Sequence, residues 1–106
     1  MTEFAGILII GAGPAGMAAA LAAASSGARI VLLDDNPNPG GQIWRDGPHA
    51  HLPAEARHMR ERLRACANVH CHAETRVIAI AGDKTLLVEN AEQGWLIAYD
   101  LSLIHI

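Results

Sequence analysis

Ile7-Leu8-Ile9-Ile10-Gly11-Ala12-Gly13-Pro14-Ala15-Gly16-Met17 is the stretch on which the reading of this 106-residue chain turns. The apolar run from Phe4 to Ile10 suits a strand buried on both faces. The glycines break it, and the alanines, Met17 and Leu21 between Pro14 and Ser26 read as a helix. Proline is tolerated in a first turn, where its missing N–H would be unpaired anyway. Gly27 then fits the left-handed position that closes many helices. Arg29 to Leu33 is a second buried strand, ending at Asp34-Asp35. Together these make a βαβ unit, expected to have parallel strands and a right-handed crossover.

Glycine-rich turns are common, and a GxGxxG by itself says little. Here it has its required context: a buried strand before it, a helix after it and an acid closing the next strand. Gly11 permits the tight turn, Gly13 lets the backbone approach a pyrophosphate, and Gly16 lets helix and strand pack closely. The helix N-terminus supplies free N–H donors and about half a positive charge to phosphates. The phosphate cradle is therefore expected at Gly11, Ala12, Gly13, Pro14, Ala15 and Gly16. Asp34 stands eighteen residues after Gly16, near the ~20 expected of an acid that accepts hydrogen bonds from ribose hydroxyls. It would repel a 2′-phosphate, which argues against NADP. Spacing does not separate FAD from NAD.

Beyond this unit, Asn36 to Gly41 holds two prolines and two glycines and reads as loop, with a weaker loop from Asp46 to Leu52. Pro53 to Ala67 reads as a helix with Arg57, Arg60, Arg62 and Arg64 as its wet face. Short strands follow at Val69 to Ala73 and Arg76 to Ile80. Gly82-Asp83-Lys84 is a hairpin turn into Thr85 to Glu89, and Trp95 to Tyr99 makes one more strand. The fold class is α/β: the opening of a doubly wound parallel sheet, with a β-meander inserted after its third strand.

At this length the chain supports one small domain. With 51% of its residues apolar it can build a core. A net charge of −3 gives no reason to expect nucleic acid or an anionic membrane surface. Two Trp, one Tyr and one Phe are too few for a base-stacking platform. Phe4 to Ala28 lacks Asp, Glu, Lys and Arg, but glycines interrupt it and much of the rest is alanine, unlike the ~20 strongly apolar residues of a membrane span. The Met-Thr-Glu opening lacks the basic start of a signal peptide, so a cytoplasmic location is expected.

Cys66 and Cys71 straddle a helix end and a strand and read as reduced structural thiols. His70 and His72 share one face of a strand, and His49 and His51 sit in a loop. No acid or cysteine falls at metal spacing with either pair, so surface histidines are expected and no metal ligand is assigned. Trp44 reads as packing.

The stretch from Ile9 to Arg45 resembles the N-terminus of two-dinucleotide-domain flavoproteins of the pyridine nucleotide-disulfide oxidoreductase type. Pro39-Gly40-Gly41-Gln42-Ile43-Trp44-Arg45, following Leu-Leu-Asp-Asp, is similar to the flavin subunits of opine oxidase, hydrogen cyanide synthase and related amino-acid dehydrogenases. The resemblance implies FAD as cofactor, with Gly41 and Gln42 along it. Thr75-Arg76-Val77 resembles the segment whose backbone holds the adenine, which nominates Val77. It implies oxidation of an amino acid or opine-like amine, a hydride passing from a C–H beside the amine to flavin N5. It also implies a partner in the form of a second oxidase subunit. In some relatives a CxxxxC disulfide follows the glycine pair; here Gln42-Ile43-Trp44 stands there instead. The alternatives are an NAD-binding dehydrogenase and a nucleotide-binding subunit without catalysis of its own.

After Asp100 the resemblance leads one to expect another strand and an Ala-Thr-Gly turn. The chain reads Leu-Ser-Leu-Ile-His-Ile instead, which resembles a translated read-through of the transposon end used in sequencing libraries. The expectation is that residues 1–100 are the N-terminal part of an FAD-binding domain and 101–106 a non-native tail. No catalytic residue is assigned, and the 106 residues alone are expected to be inactive.

Overall fold

In the computed structural model, which describes residues 2–11, 13–35 and 54–104, the run before the glycines forms strand β1 (Thr2–Ile10) and the alanine-rich stretch forms helix α1 (Pro14–Ala24). Strand β2 (Ile30–Leu33) is buried along its whole length. Gly27, at φ +81°, takes the left-handed conformation just past the helix, where its N–H donates to the Ala24 carbonyl at 3.3 Å. Helix α2 (Ala54–Ala65) leads into β3 (Val69–His72). Strands β4 (Arg76–Gly82), β5 (Thr85–Glu89) and β6 (Gly94–Ile104) follow.

The six strands form one sheet in the order β3-β2-β1-β6-β5-β4. β1 runs parallel to β2 and to β6, and β2 parallel to β3, while β4, β5 and β6 form an antiparallel meander. This is the expected parallel sheet with a meander after its third strand. The last strand is longer than the expected Trp95 to Tyr99. It leaves β5 after Ala98 and continues beside β1, with Leu101 opposite Ile7 and Ile104 opposite Ile10.

Side-chain alternation sorts the core into two layers. On one face Ile9, Ile30 and Leu32 meet Met17 and Ala20 of α1 and Leu63 of α2. On the other, Leu8, Val31 and Leu33 meet Leu86 and Val88 of β5 and Trp95 and Ile97 of β6. Ala5 joins this second cluster together with Leu8. Residues three apart in a regular strand face opposite ways, so the alternation of β1 breaks between them, at Gly6. A Cβ at Gly6 would press on the Ala28 Cβ at 3.2 Å and the Arg29 carbonyl at 3.4 Å. The residues before this break therefore serve the meander side.

Helix α2 shows its exposed basic face at Arg57, Arg62 and Arg64, but Arg60 is half-buried and corrects the expected wet face. Met59 and Leu63 turn toward α1, and Arg60 flanks them, so its aliphatic stem lies along apolar surface. Leu63, 2% exposed, is the anchor of that contact. Leu63→Ala should cost ~2–5 kcal/mol in urea or thermal unfolding, against ~0.5 or less for the exposed Arg64→Ala. No helix among the described residues is long and apolar enough to cross a membrane.

Candidate dinucleotide-binding site

The phosphate loop is built where β1 ends. Gly11 has φ +99°, a conformation strained for any L side chain, and its N–H donates to the Leu33 carbonyl at 2.7 Å. The turn is thus tied to the end of β2. Gly16 closes the arrangement: a Cβ there would collide with the carbonyl oxygen of Gly11. Helix and turn pack at a distance only glycine permits.

Gly13 is the N-cap of α1, extended at φ −70°, with no side chain capping the helix and no acid in its first turn. A Cβ built on Gly13 meets nothing within 4 Å among the described residues. Open space over an uncapped helix N-terminus fits a diphosphate, since the first-turn N–H groups and the helix dipole favour negative charge.

Asp34, at the end of β2, is 7% exposed. Its N–H donates to the His72 carbonyl at 3.0 Å and its carbonyl accepts from the Thr75 N–H at 2.8 Å. The segment 72–75 therefore clips the Asp34 peptide from both sides. Asp35 turns outward and lines a cleft of about 310 Å³ with Glu74, Arg76, Glu89, Asn90 and Ala91. Arg76 donates to Glu89 through Nε at 3.0 Å and Nη2 at 2.7 Å, and this pair raises the pKa of its guanidinium. Val77 follows on the edge strand β4, paired with Val88 of β5.

The structure thus brings Gly11, Gly13 and Gly16 together beside the end of β2, with Thr75 to Val77 starting next to Asp34. Pro14 and Ala15 begin α1. Ala12, Gly41 and Gln42, and with them Trp44, His49 and His51, lie outside the described residues. Cys66 and Cys71 are both unpaired; Cys66 Sγ donates to the Arg62 carbonyl at 3.2 Å. Among the described residues no group of three His, Cys, Asp or Glu is placed to hold a metal.

Sequence reading missed a polar hub on the meander side of the parallel sheet. The Glu3 carboxylate accepts from Arg29 Nη2 at 3.1 Å, from Trp95 Nε1 at 3.0 Å and from His72 Nε2, 3.1 Å from both oxygens. Arg29 also donates from Nε to the Phe4 carbonyl at 2.9 Å and from Nη1 to His70 Nε2 at 2.8 Å. The His72 ring stands edge-on to Trp95, centroids 5.4 Å apart. His70 and His72 are therefore half-buried partners, a correction to the expected surface histidines. Their acceptors come from residues far away in sequence, which no local spacing reveals. The donors impose opposite proton positions: His70 Nε2 must be bare to accept from Arg29, whereas His72 Nε2 must carry the proton it gives to Glu3. Burial pushes the Glu3 carboxyl up, but hydrogen bonds from His72, Trp95 and Arg29 and the charge of His72 outweigh it and hold its pKa below the usual 4.5.

Fold and loop together define a Rossmann-type dinucleotide-binding segment, and the comparisons give its class. The model of the FAD dependent oxidoreductase family matches residues 6–49, and it is among FAD-dependent oxidoreductases that this chain falls. One of the two opine oxidase chains of the subunit type, from Agrobacterium tumefaciens, is 61% identical over 46 residues, 43% of this chain and 9% of that protein. Hydrogen cyanide synthase subunit HcnB of Pseudomonas aeruginosa is 36% identical over 97 residues, 81% of this chain and 21% of that one. Among solved structures, L-proline dehydrogenase from P. horikoshii superposes with a TM-score of 0.76 at 20% identity, covering 98% of this chain and 23% of its own, a likeness of fold. Thioredoxin reductase from Streptococcus pyogenes has a TM-score of 0.68 at 28% identity, covering 96% and 35%. The chain thus spans less than a quarter of the length of the opine oxidase and cyanide synthase relatives.

Proposed function

We propose that this chain holds the ADP half of FAD in an oxidoreductase acting on an amino acid or opine-like secondary amine. The observation that carries the reading is the glycine loop: Gly16 packed on the Gly11 carbonyl, with open space at Gly13 over an uncapped helix N-terminus. The loop and first turn of α1, from Gly11 and Ala12 through Gly16, hold the pyrophosphate. Asp34 accepts from the ribose hydroxyls, and the backbone at Val77 faces the adenine. Gly41 and Gln42 run along the cofactor, as the resemblance implies. The bound flavin supplies the two-electron acceptor.

The substrate class rests on the likeness to proteins named opine oxidase and, at 40% identity over 72 residues, to the alpha chain of sarcosine oxidase from Rhizobium meliloti. Both names denote subunits, and a second oxidase subunit is part of the proposal. A cytoplasmic location accords with two unpaired cysteines. The protein made from the complete locus should purify yellow, with flavin absorbance, and reduce a dye when given N-substituted amino acids. A colourless protein that retains NAD would reject the cofactor, and flavin without amine-dependent turnover, alone or with its partner subunit, would reject the substrate class.

Residues 1–100 are, in this reading, the first part of the FAD domain, and 101–106 are not native. A clean genomic read should run past Asp100 into an apolar strand and an Ala-Thr-Gly-like turn. Leu101 to Ile106 followed by a natural stop codon would sink that. The 106 residues expressed alone should hold FAD poorly and show no turnover, because β3 and β4 are left as open sheet edges.

A further inference from the structure

We propose that Glu3 is a positioning residue for the cofactor acid: it holds His72, and His72 holds the peptide of Asp34. This rests on the reading of Asp34 as the ribose acceptor. The relay runs through a single residue. The His72 side chain is bound by both oxygens of Glu3 at 3.1 Å, and its carbonyl accepts the Asp34 N–H at 3.0 Å. Three residues on, the Thr75 N–H closes on the Asp34 carbonyl at 2.8 Å, and the Thr75 hydroxyl donates to the Ala73 carbonyl at 2.9 Å. The turn from 72 to 75 is thus a clip around Asp34, anchored from its side-chain end by Glu3.

Glu3 reaches that end because β1 changes face at Gly6. Its remaining donors pin it there: Arg29 from the residue before β2 and Trp95 from β6. Three donors from three separate segments leave the carboxylate one position, which its 15% side-chain exposure shields from solvent. Misplacement of a ligand acceptor by a fraction of an ångström is enough to weaken binding. His70, the other titratable group of the hub, faces Arg29 and not Glu3.

The test uses the protein made from the complete locus and the variants Glu3→Ala, Glu3→Gln and Asp34→Ala. In flavin-free protein, peptide-resolved hydrogen exchange should quicken in Glu3→Ala at residues 33–35 and 73–76, by ~tenfold relative to helix α1. FAD titration should show Glu3→Ala weakened ~three- to tenfold, with Glu3→Gln in between, since its amide keeps one acceptor oxygen. Wild-type exchange at the same peptides should also quicken as pH falls below about 4.5, because a carboxyl with a lowered pKa contributes its stability above that value and loses it on protonation. Exchange that rises equally everywhere, or does not change, overturns the proposal; so does unchanged FAD affinity in a folded Glu3→Ala. Should Glu3→Ala not fold, the near-isosteric Glu3→Gln carries the same comparison. If Asp34→Ala binds FAD as wild type does, the ribose reading fails, and this is seen separately from the exchange result.

Discussion

Gly16→Ala is expected to unfold the phosphate loop and abolish retention of FAD. The added Cβ would collide with the carbonyl oxygen of Gly11, a backbone atom that has no rotamer in which to escape. Gly11 is itself held at φ +99° and bonded to Leu33 at 2.7 Å, so relief would need α1 to lift off the β1–β2 pair. That separation opens the core around Ile9, Met17 and Ala20. Overpacking costs ~1–3 kcal/mol and occasionally more, and a backbone collision belongs at the upper end of that range. Gly13→Ala should behave in the opposite way. Its Cβ meets nothing within 4 Å among the described residues, so the melting temperature should hardly move. The methyl group would stand in the space proposed for the pyrophosphate, and losing a charge-assisted hydrogen bond there costs ~1.5–3 kcal/mol, roughly ten- to a hundredfold in affinity. Thermal unfolding and flavin titration on the two variants check both halves. A Gly13→Ala protein with wild-type FAD affinity would show that the phosphates lie elsewhere.

Asp34→Ala should weaken FAD binding ~ten- to a hundredfold, the loss of a charge-assisted hydrogen bond of ~1.5–3 kcal/mol, whereas Asp35→Ala should change it little. The two carboxylates are neighbours in sequence, but extended backbone points them in opposite directions. Asp34 is buried at the strand end tied to the glycine turn through Leu33, with its peptide clipped by His72 and Thr75. Asp35 is exposed and looks into the cleft beside Glu74 and Arg76. Dissociation constants for the two variants, measured by flavin fluorescence, decide between them. Equal values, or a larger effect from Asp35, would mean that the wrong acid holds the ribose.

Much of this architecture could be read from local pattern. β5 appears at Thr85–Glu89, as its alternation and the preceding Gly82-Asp83-Lys84 turn imply. β1, α1 and β2 are where the apolar run, the alanines and Gly27 place them, with ends shifted by one or two residues. The geometry of Gly11 and Gly16 was legible because each glycine answers a steric demand made by residues close in the chain.

Other features depended on residues that meet only after folding. Nothing near Glu3 in sequence announces that His72 and Trp95 will converge on it, because the strands that carry them are joined to β1 through the whole of the meander and the βαβ unit. Arg60 is half-buried because α2 docks against α1, which helix periodicity alone does not orient. β6 extends beyond Tyr99 because β1 has a free edge for it to pair with, a property of the neighbour and not of Leu101 to Ile104. Short-range sterics wrote the turn, the helix and the strand order of the βαβ unit into the chain. Burial and hydrogen-bond satisfaction, which act between distant segments, chose the partners of Glu3, the face of α2 and the reach of the last strand.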